Sequence, residues 1–421
     1  MQRSAVLGLL LVSLTVVARG QAPPPAERVV AIKAGKLLTM NDRDEVLDGA
    51  VLVIRGVRIV AVGPADQVEI PAGAEVIDAS DRWVLPGFVD CHNHIAGSLG
   101  DLNDGVWLTN PGLRTVDTLL PESEDLKNAR AGGVTTVLLI PGSGNNMSGF
   151  GTVSRTAGAT GAEMALRAPG SLKIAQAGNP EGYWFGVGRA YMNWNLNQTL
   201  DKAQAYHRRW EAWEQAVRER GEAAAGPRPE KDPVWEDFRP LLRGEIPASV
   251  HTQMYQVVMQ SIVTLHDRYG LRVVLDHSTF DGYKTAPLAL EREHVFTICG
   301  PRQYWFDRAE RRVVGVADRW YAAGQKKLGI NTDAPVVPEE ELPLQAALGC
   351  RFGLDHYAAL RGLTIMPARA LHVDAVVGSL EPGKEADLAI WTDDPLDPRS
   401  SCLRTLVRGQ TVYDQTKERR F

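Results

Sequence analysis

Cysteine is scarce in this chain: its 421 residues include four, at positions 91, 299, 350 and 402. They stand too far apart to form a C-x-x-C pair, which excludes a thiolate zinc module of that kind, and all four read as buried packing thiols. A basic stripe is also missing. The net charge is -5 and the pI about 6.0, so electrostatics give no reason to expect nucleic acid as a partner, and a small-molecule substrate fits better. The small-residue loop 141–149 lacks the lysine and following Ser or Thr of a phosphate cradle, which removes nucleotide binding. The apolar run 5–18 is too short for a comfortable membrane span. Behind Arg3 and ahead of the small residues Ala18 and Gly20, it reads as an export signal over 1–20. No cysteine follows it, so the lipoprotein attachment signal is absent. The expected location is the periplasm or the secreted fraction, with no stable membrane insertion after signal cleavage; an uncleaved anchor is the alternative.

What is present is ample apolar material. At 44% hydrophobic composition, the chain can bury a large core in one large domain plus a smaller one. After a proline-rich linker over 21–27, short β-rich runs at 29–32, 50–54, 58–62 and 75–78 alternate with turns, as in a small antiparallel sheet. Strand-like runs return at 386–391 and 403–414, so both ends of the chain are expected to complete one domain, 28–84 with 376–415. The middle, 85–375, alternates apolar runs with helical stretches, the pattern of parallel βα units. The runs predicted as strands are 88–90, 134–140, 172–175, 248–251, 273–277, 295–299 and 328–333. Periodicity alone leaves a barrel and a doubly wound sheet both open. A charged helical insertion is expected around 190–245, either a lid over one end or an ordinary surface helix.

Chemistry concentrates at the ends of those runs. His92 and His94 follow the first, and alternation along a strand turns both imidazoles to one face and Cys91 to the other. His251, His277 and Asp333 each close a later run. The C-terminal ends of strands are where active sites form in α/β barrels. Several imidazoles with a carboxylate and no thiolate suit zinc or another divalent metal. Such an ion lowers the pKa of bound water to about 7 and polarises a carbonyl, while an aspartate beside it can carry the water proton to a leaving amine. Asp333 is the candidate for that role. Arg302 and Tyr304, just past the 295–299 run, are candidates to bind a substrate carboxylate or amide, and Asn145 lies in a loop that could wall the substrate.

The segment Leu85-Pro86-Gly87-Phe88-Val89-Asp90-Cys91-His92-Asn93-His94 resembles the first-strand signature of the amidohydrolase superfamily. Gly132-Gly133-Val134-Thr135-Thr136-Val137, the His251, His277 and Asp333 strand ends, and the tail Gly378-Ser379-Leu380-Glu381-Pro382-Gly383-Lys384-Glu385-Ala386-Asp387-Leu388 match it in order. The likeness covers roughly 29–414 and looks closest to the imidazolonepropionase-like branch. It implies a (β/α)8 TIM-like barrel with a composite β-sandwich from the two chain ends, metal-assisted hydrolysis of an amide, cyclic amide or dipeptide-like C–N bond, and Asp333 as both ligand and proton carrier. Some members bridge two ions with a carboxylated lysine on an early strand, which here corresponds to Lys173. The implied metal set is therefore His92, His94, Lys173, His251, His277 and Asp333, holding one or two ions, zinc foremost. Without the bridge, His277 would instead orient or polarise the substrate carbonyl.

The sequence departs from the pattern at one ligand position: relatives often carry His-x-His after the fifth strand, whereas His251-Thr252-Gln253 keeps only the first imidazole. A deaminase or lactone hydrolase would use the same chemistry, and a binding protein that has lost turnover would keep the same barrel. Assembly into a homo-oligomer is compatible with the chain.

Overall fold

The computed structural model describes residues 27–105, 107–176, 178–183 and 187–421. The expected export signal over 1–20, and the linker up to residue 26, lie outside the described residues. Among those described, no helix is long and apolar enough to cross a membrane.

The chain begins with four strands, β1 (Val29–Leu38), β2 (Val46–Arg55), β3 (Arg58–Pro64) and β4 (Glu75–Pro86). It continues directly into β5 (Phe88–Asn93), β6 (Val134–Leu139), β7 (Met147–Arg155), β8 (Ala165–Ala175), β9 (Ala248–Thr252), β10 (Val273–His277) and β11 (Val295–Cys299). A small hairpin of β12 (Tyr304–Asp307) and β13 (Arg312–Gly315) precedes β14 (Leu328–Ile330), and β15 (Leu388–Trp391), β16 (Cys402–Val407) and β17 (Gln410–Asp414) end the chain.

Two large sheets result. One has seven strands in the order β17-β16-β15-β4-β1-β2-β3, joining both chain ends through the antiparallel β15–β4 pair. Its seven strands are hydrogen-bonded as one sheet. The other has eight strands in the order β14-β11-β10-β9-β8-β7-β6-β5, a nearly closed barrel sheet. Helices cover the crossovers, including Glu124–Ala131 between β5 and β6 and Ala317–Ala322 ahead of β14.

This barrel departs from a strict (β/α)8 pattern at β7. That strand runs antiparallel to both β6 and β8, so seven strands are parallel to one another and one is reversed. Residues 141–149 read as a loop in sequence, yet Met147–Arg155 is a strand with all nine residues buried. Glycines explain both facts. A side chain on Gly149 would meet the Leu113 carbonyl at 2.6 Å and one on Gly151 would meet the Leu139 carbonyl at 2.9 Å, so the close packing that hides this strand needs residues that look like turn formers.

Gly87 is the joint between the two sheets. A Cβ there would fall 2.1 Å from Thr135, and its N–H donates to the Asp387 carbonyl at 3.0 Å. The long insertion forms the helix Arg189–Arg220, burying Met192, Leu196, Leu200, Tyr206 and Trp210. The thiols at 91, 299 and 402 are buried, and Cys350, on the helix Leu342–Arg351, is half-buried against the edge of the core.

Candidate metal centre

Six side chains meet at the C-terminal mouth of the barrel strands. His92 comes from β5 and His94 from just beyond it, Lys173 from β8, His251 from β9, His277 from the last position of β10, and Asp333 from the turn after β14. His92 Nε2 is 3.2 Å from Lys173 Nζ and 3.2 Å from Asp333 Oδ1, while His94 Nε2 is 3.4 Å from that same oxygen. His277 Nε2 and His251 Nδ1 are 2.9 Å apart. Two triads, His92–His94–Asp333 and His92–His251–His277, each bring their ligand atoms within 4.8 Å of one another.

Hydrogen bonding decides which nitrogens face the cluster. The Nδ1–H of His94 donates to the Ile140 carbonyl at 2.9 Å and that of His277 to the Gly300 carbonyl at 2.8 Å. A carbonyl only accepts, so both rings carry their proton on the outer nitrogen and turn a lone pair inward. His92 Nδ1 faces Asp276 Oδ2 at 2.9 Å, with both side chains fully buried. His251 is reversed: its Nδ1 points inward, 3.1 Å from Ser143 Oγ, while its Nε2 lies 3.4 Å from the Gln253 amide.

Electrostatics reinforce this. Burial, followed by the His92 charge, pushes His277 down to about 4, and burial puts His251 well below and His94 below the usual imidazole range. Burial also draws Lys173 down to about 8. For Asp333, burial raises the pKa, but His277, His92 and His94 outweigh it and hold the carboxyl well below its ordinary value. For His92, burial and Lys173 work downward and are overcome by Asp276 and Asp333, leaving it raised. Neutral His94, His251 and His277 thus meet an ionised Asp333, a set of nitrogen and oxygen donors of the kind that binds a divalent cation. The His92 side chain has no exposure, while His94 keeps 11% and Asp333 18%, so the cluster opens to solvent on the Asp333 side.

Backbone conformation contributes to the aim. His277 and Asp333 have φ of 65° and 53°, the left-handed region that costs a non-glycine residue on the order of 1–3 kcal/mol and persists where the surroundings enforce it. The chain reverses sharply at both strand ends, which presents side chains that a continued strand would carry elsewhere.

The other predicted residues lie on the surrounding loops. Arg302 is exposed, with its guanidinium 5.6 Å from the centre of the Phe280 ring, two residues beyond the glycine that holds His277. Tyr304 is 49% exposed and stacks on Phe352 at 5.5 Å. Asn145 is buried and donates its amide to the Asp104 carbonyl, and it is Ser143, two residues earlier, that touches the cluster. Sequence reasoning missed Ser143, Asp276 and Asp90. Asp276 adjoins a ligand in sequence, but its partner His92 lies on a strand that is not its neighbour in the sheet, a contact no local pattern encodes.

Comparison with known proteins agrees with this geometry. A family model described as "Amidohydrolase family" matches residues 345–413. An imidazolonepropionase of Sphingopyxis alaskensis is 25% identical over 393 residues, covering 86% of this chain and 91% of that protein. The crystal structure of an amidohydrolase from Thermotoga maritima superposes with a TM-score of 0.77 at 25% identity, covering 91% of this chain and all of that one. Together these likenesses support the amidohydrolase superfamily. Amidohydrolase TasK of Hapsidospora irregularis is 24% identical over 393 residues; the match covers 87% of this chain but 40% of that longer protein. These likenesses support a hydrolase acting on C–N bonds, with a site able to hold metal.

Proposed function

We propose that this amidohydrolase cleaves an amide, cyclic amide or dipeptide-like C–N bond in a small molecule that carries a carboxylate, using one or two divalent ions, zinc foremost. The observation that carries the reading is the convergence of ring nitrogens from His92, His94, His251 and His277 beside an ionised Asp333. A bound divalent ion supplies Lewis acidity and makes water more acidic. His92, His94, Lys173 and Asp333 would hold one ion, and His251 with His277 a second. Lys173, were its neutral amine to add carbon dioxide and release a proton, would become a carbamate and offer oxygen in place of nitrogen as a ligand.

Asp333 would receive a proton from the attacking water and return it to the departing nitrogen. The new C–O bond forms as the C–N bond breaks, and one water is consumed. The Arg302 cation, steadied over Phe280, suits a substrate carboxylate. Tyr304 and the Asn145 loop complete the walls of the approach. The run 5–18 behind Arg3 supports export.

The test is metal content per chain by elemental analysis for wild type, His92→Ala, Lys173→Ala and Asp333→Asn, with turnover on N-acyl amino acids, dipeptides and cyclic amides. Two equivalents in wild type, falling in Lys173→Ala, establish a bridged pair, and Asp333→Asn should lose roughly 10²- to 10⁴-fold in kcat. A wild-type chain that takes up neither zinc nor manganese would sink the proposal.

A further inference from the structure

Beneath the cluster, away from the substrate side, lies a second polar group that the chemistry above does not use. Asp90 Oδ1 accepts the backbone N–H of His92 at 2.8 Å, and Asp90 Oδ2 accepts the backbone N–H of Thr332 at 2.9 Å. Thr332 Oγ1 lies 2.8 Å from that same Oδ2, accepts the Ala334 N–H at 3.1 Å, and lies 3.0 Å from Glu339 Oε2. All three side chains are buried. Thr332 and Ala334 flank Asp333, so this network ties the turn that carries Asp333 to the strand that carries His92 and His94.

Proton counting then constrains the network. A threonine hydroxyl has one proton to donate. If Thr332 gives it to Asp90, the 3.0 Å contact with Glu339 needs a proton from Glu339; if it gives it to Glu339, Asp90 needs one instead. One proton is therefore shared by the two carboxyls. The two backbone N–H groups on Asp90 favour its ionised form, whereas among the described residues Glu339 receives no backbone donor and its Oε1 has no hydrogen-bond partner. The proton belongs on Glu339. Burial and the adjacent Asp90 charge act in the same direction, pushing the Glu339 carboxyl well above the usual range.

Glu339 is also held by its own surroundings. It opens the short 3-10 turn Glu339–Glu341, which packs against the end of the helix Glu124–Ala131. The next residue, Glu340, passes so close to Gly132 that a Cβ there would lie 2.6 Å from the Glu340 Cα. Gly132, read from the sequence as part of a family signature, thus has a physical task, to let this turn seat.

We propose that Glu339 is a positioning residue: a buried, neutral carboxylic acid that donates to Thr332 and, through Thr332 and Asp90, sets the Asp333 turn against His92. The consequence for metal binding rests on the function proposed above; the protonation state does not. Infrared difference spectra between wild type and Glu339→Gln at pH 7 should show a neutral carboxylic-acid C=O band in wild type that the variant lacks. Zinc affinity, measured by competition with a chelator, should stay within about twofold of wild type in Glu339→Gln, which keeps a neutral donor. It should weaken at least tenfold in Glu339→Ala, with both variants checked for folding by circular dichroism. Absence of the acid band overturns the proposal whether or not the chain binds metal. A folded Glu339→Gln that binds as poorly as Glu339→Ala overturns it too, since an ionised carboxylate would then be what the site needs. If wild type binds no zinc, the function proposed above fails, while the infrared band still decides the state of Glu339.

Discussion

At the scale of single residues, the site depends on partners that fix each imidazole. His92 is the common member of both triads, and its outer nitrogen faces the fully buried Asp276. Outer-shell carboxylates of this kind orient a ligand ring and raise its basicity, and their loss typically costs 10- to 100-fold in metal affinity. Asp276→Asn should therefore weaken zinc binding by about 10- to 100-fold without unfolding the chain, as read by chelator competition. Affinity equal to wild type would show that Asp276 merely fills space. The six candidate ligands were legible because each closes an apolar run or stands in a signature. Asp276, Ser143 and Glu339 were not, because each acts on a residue remote in sequence.

At the scale of elements, glycine misled the reading of β7. Its Gly149 and Gly151 look like turn residues, and only the closeness of neighbouring backbones shows why a buried strand needs them. The tail signature likewise gains a physical meaning. Asp387, just before β15, is fully buried and accepts the Arg408 N–H at 2.6 Å. Burial, opposed by that hydrogen bond and aided by the Glu385 charge, pushes it up to about 7. Because this carboxyl binds its proton more tightly folded than unfolded, it makes stability fall as pH rises from about 4 to about 7, with the loss complete above. Asp387→Asn keeps the acceptor oxygen and removes the titration. Thermal melts at pH 4.5 and pH 8 should show the variant gaining a few degrees on wild type at the higher pH. An unchanged gap between the two proteins at both pH values would refute the assignment.

At the scale of the whole molecule, the barrel and the sheet of chain ends are joined by a buried ion pair. Arg155 on β7 reaches Glu385 through Nε at 3.0 Å and Nη2 at 2.8 Å, with side-chain exposures of 9% and 8%. Removing Arg155 leaves the buried Glu385 with the Arg408 guanidinium at 3.8 Å as a remaining partner, at a cost of up to about 3–5 kcal/mol, whereas apolar replacement of both is far milder. Arg155→Met should lose stability of that order in urea unfolding, and adding Glu385→Leu should restore most of it. A loss below about 1 kcal/mol, the size typical of exposed pairs, would mean the contact is not what couples the two sheets.

From sequence alone came the alternation of βα units, the identities of the candidate ligands and the resemblance to a hydrolase superfamily. Those features are local, because strand periodicity, a His-x-His pair and a residue closing an apolar run are set by neighbours a few positions away. The tertiary structure decided what depends on closing the sheet: the reversal of β7, the outer partners that leave three rings with their Nε2 facing inward, and the proton shared between Asp90 and Glu339. Asp90 and Thr332 are separated by 242 positions, and only the near-closure of the barrel, which brings β5 beside β14, puts their side chains within hydrogen-bonding reach.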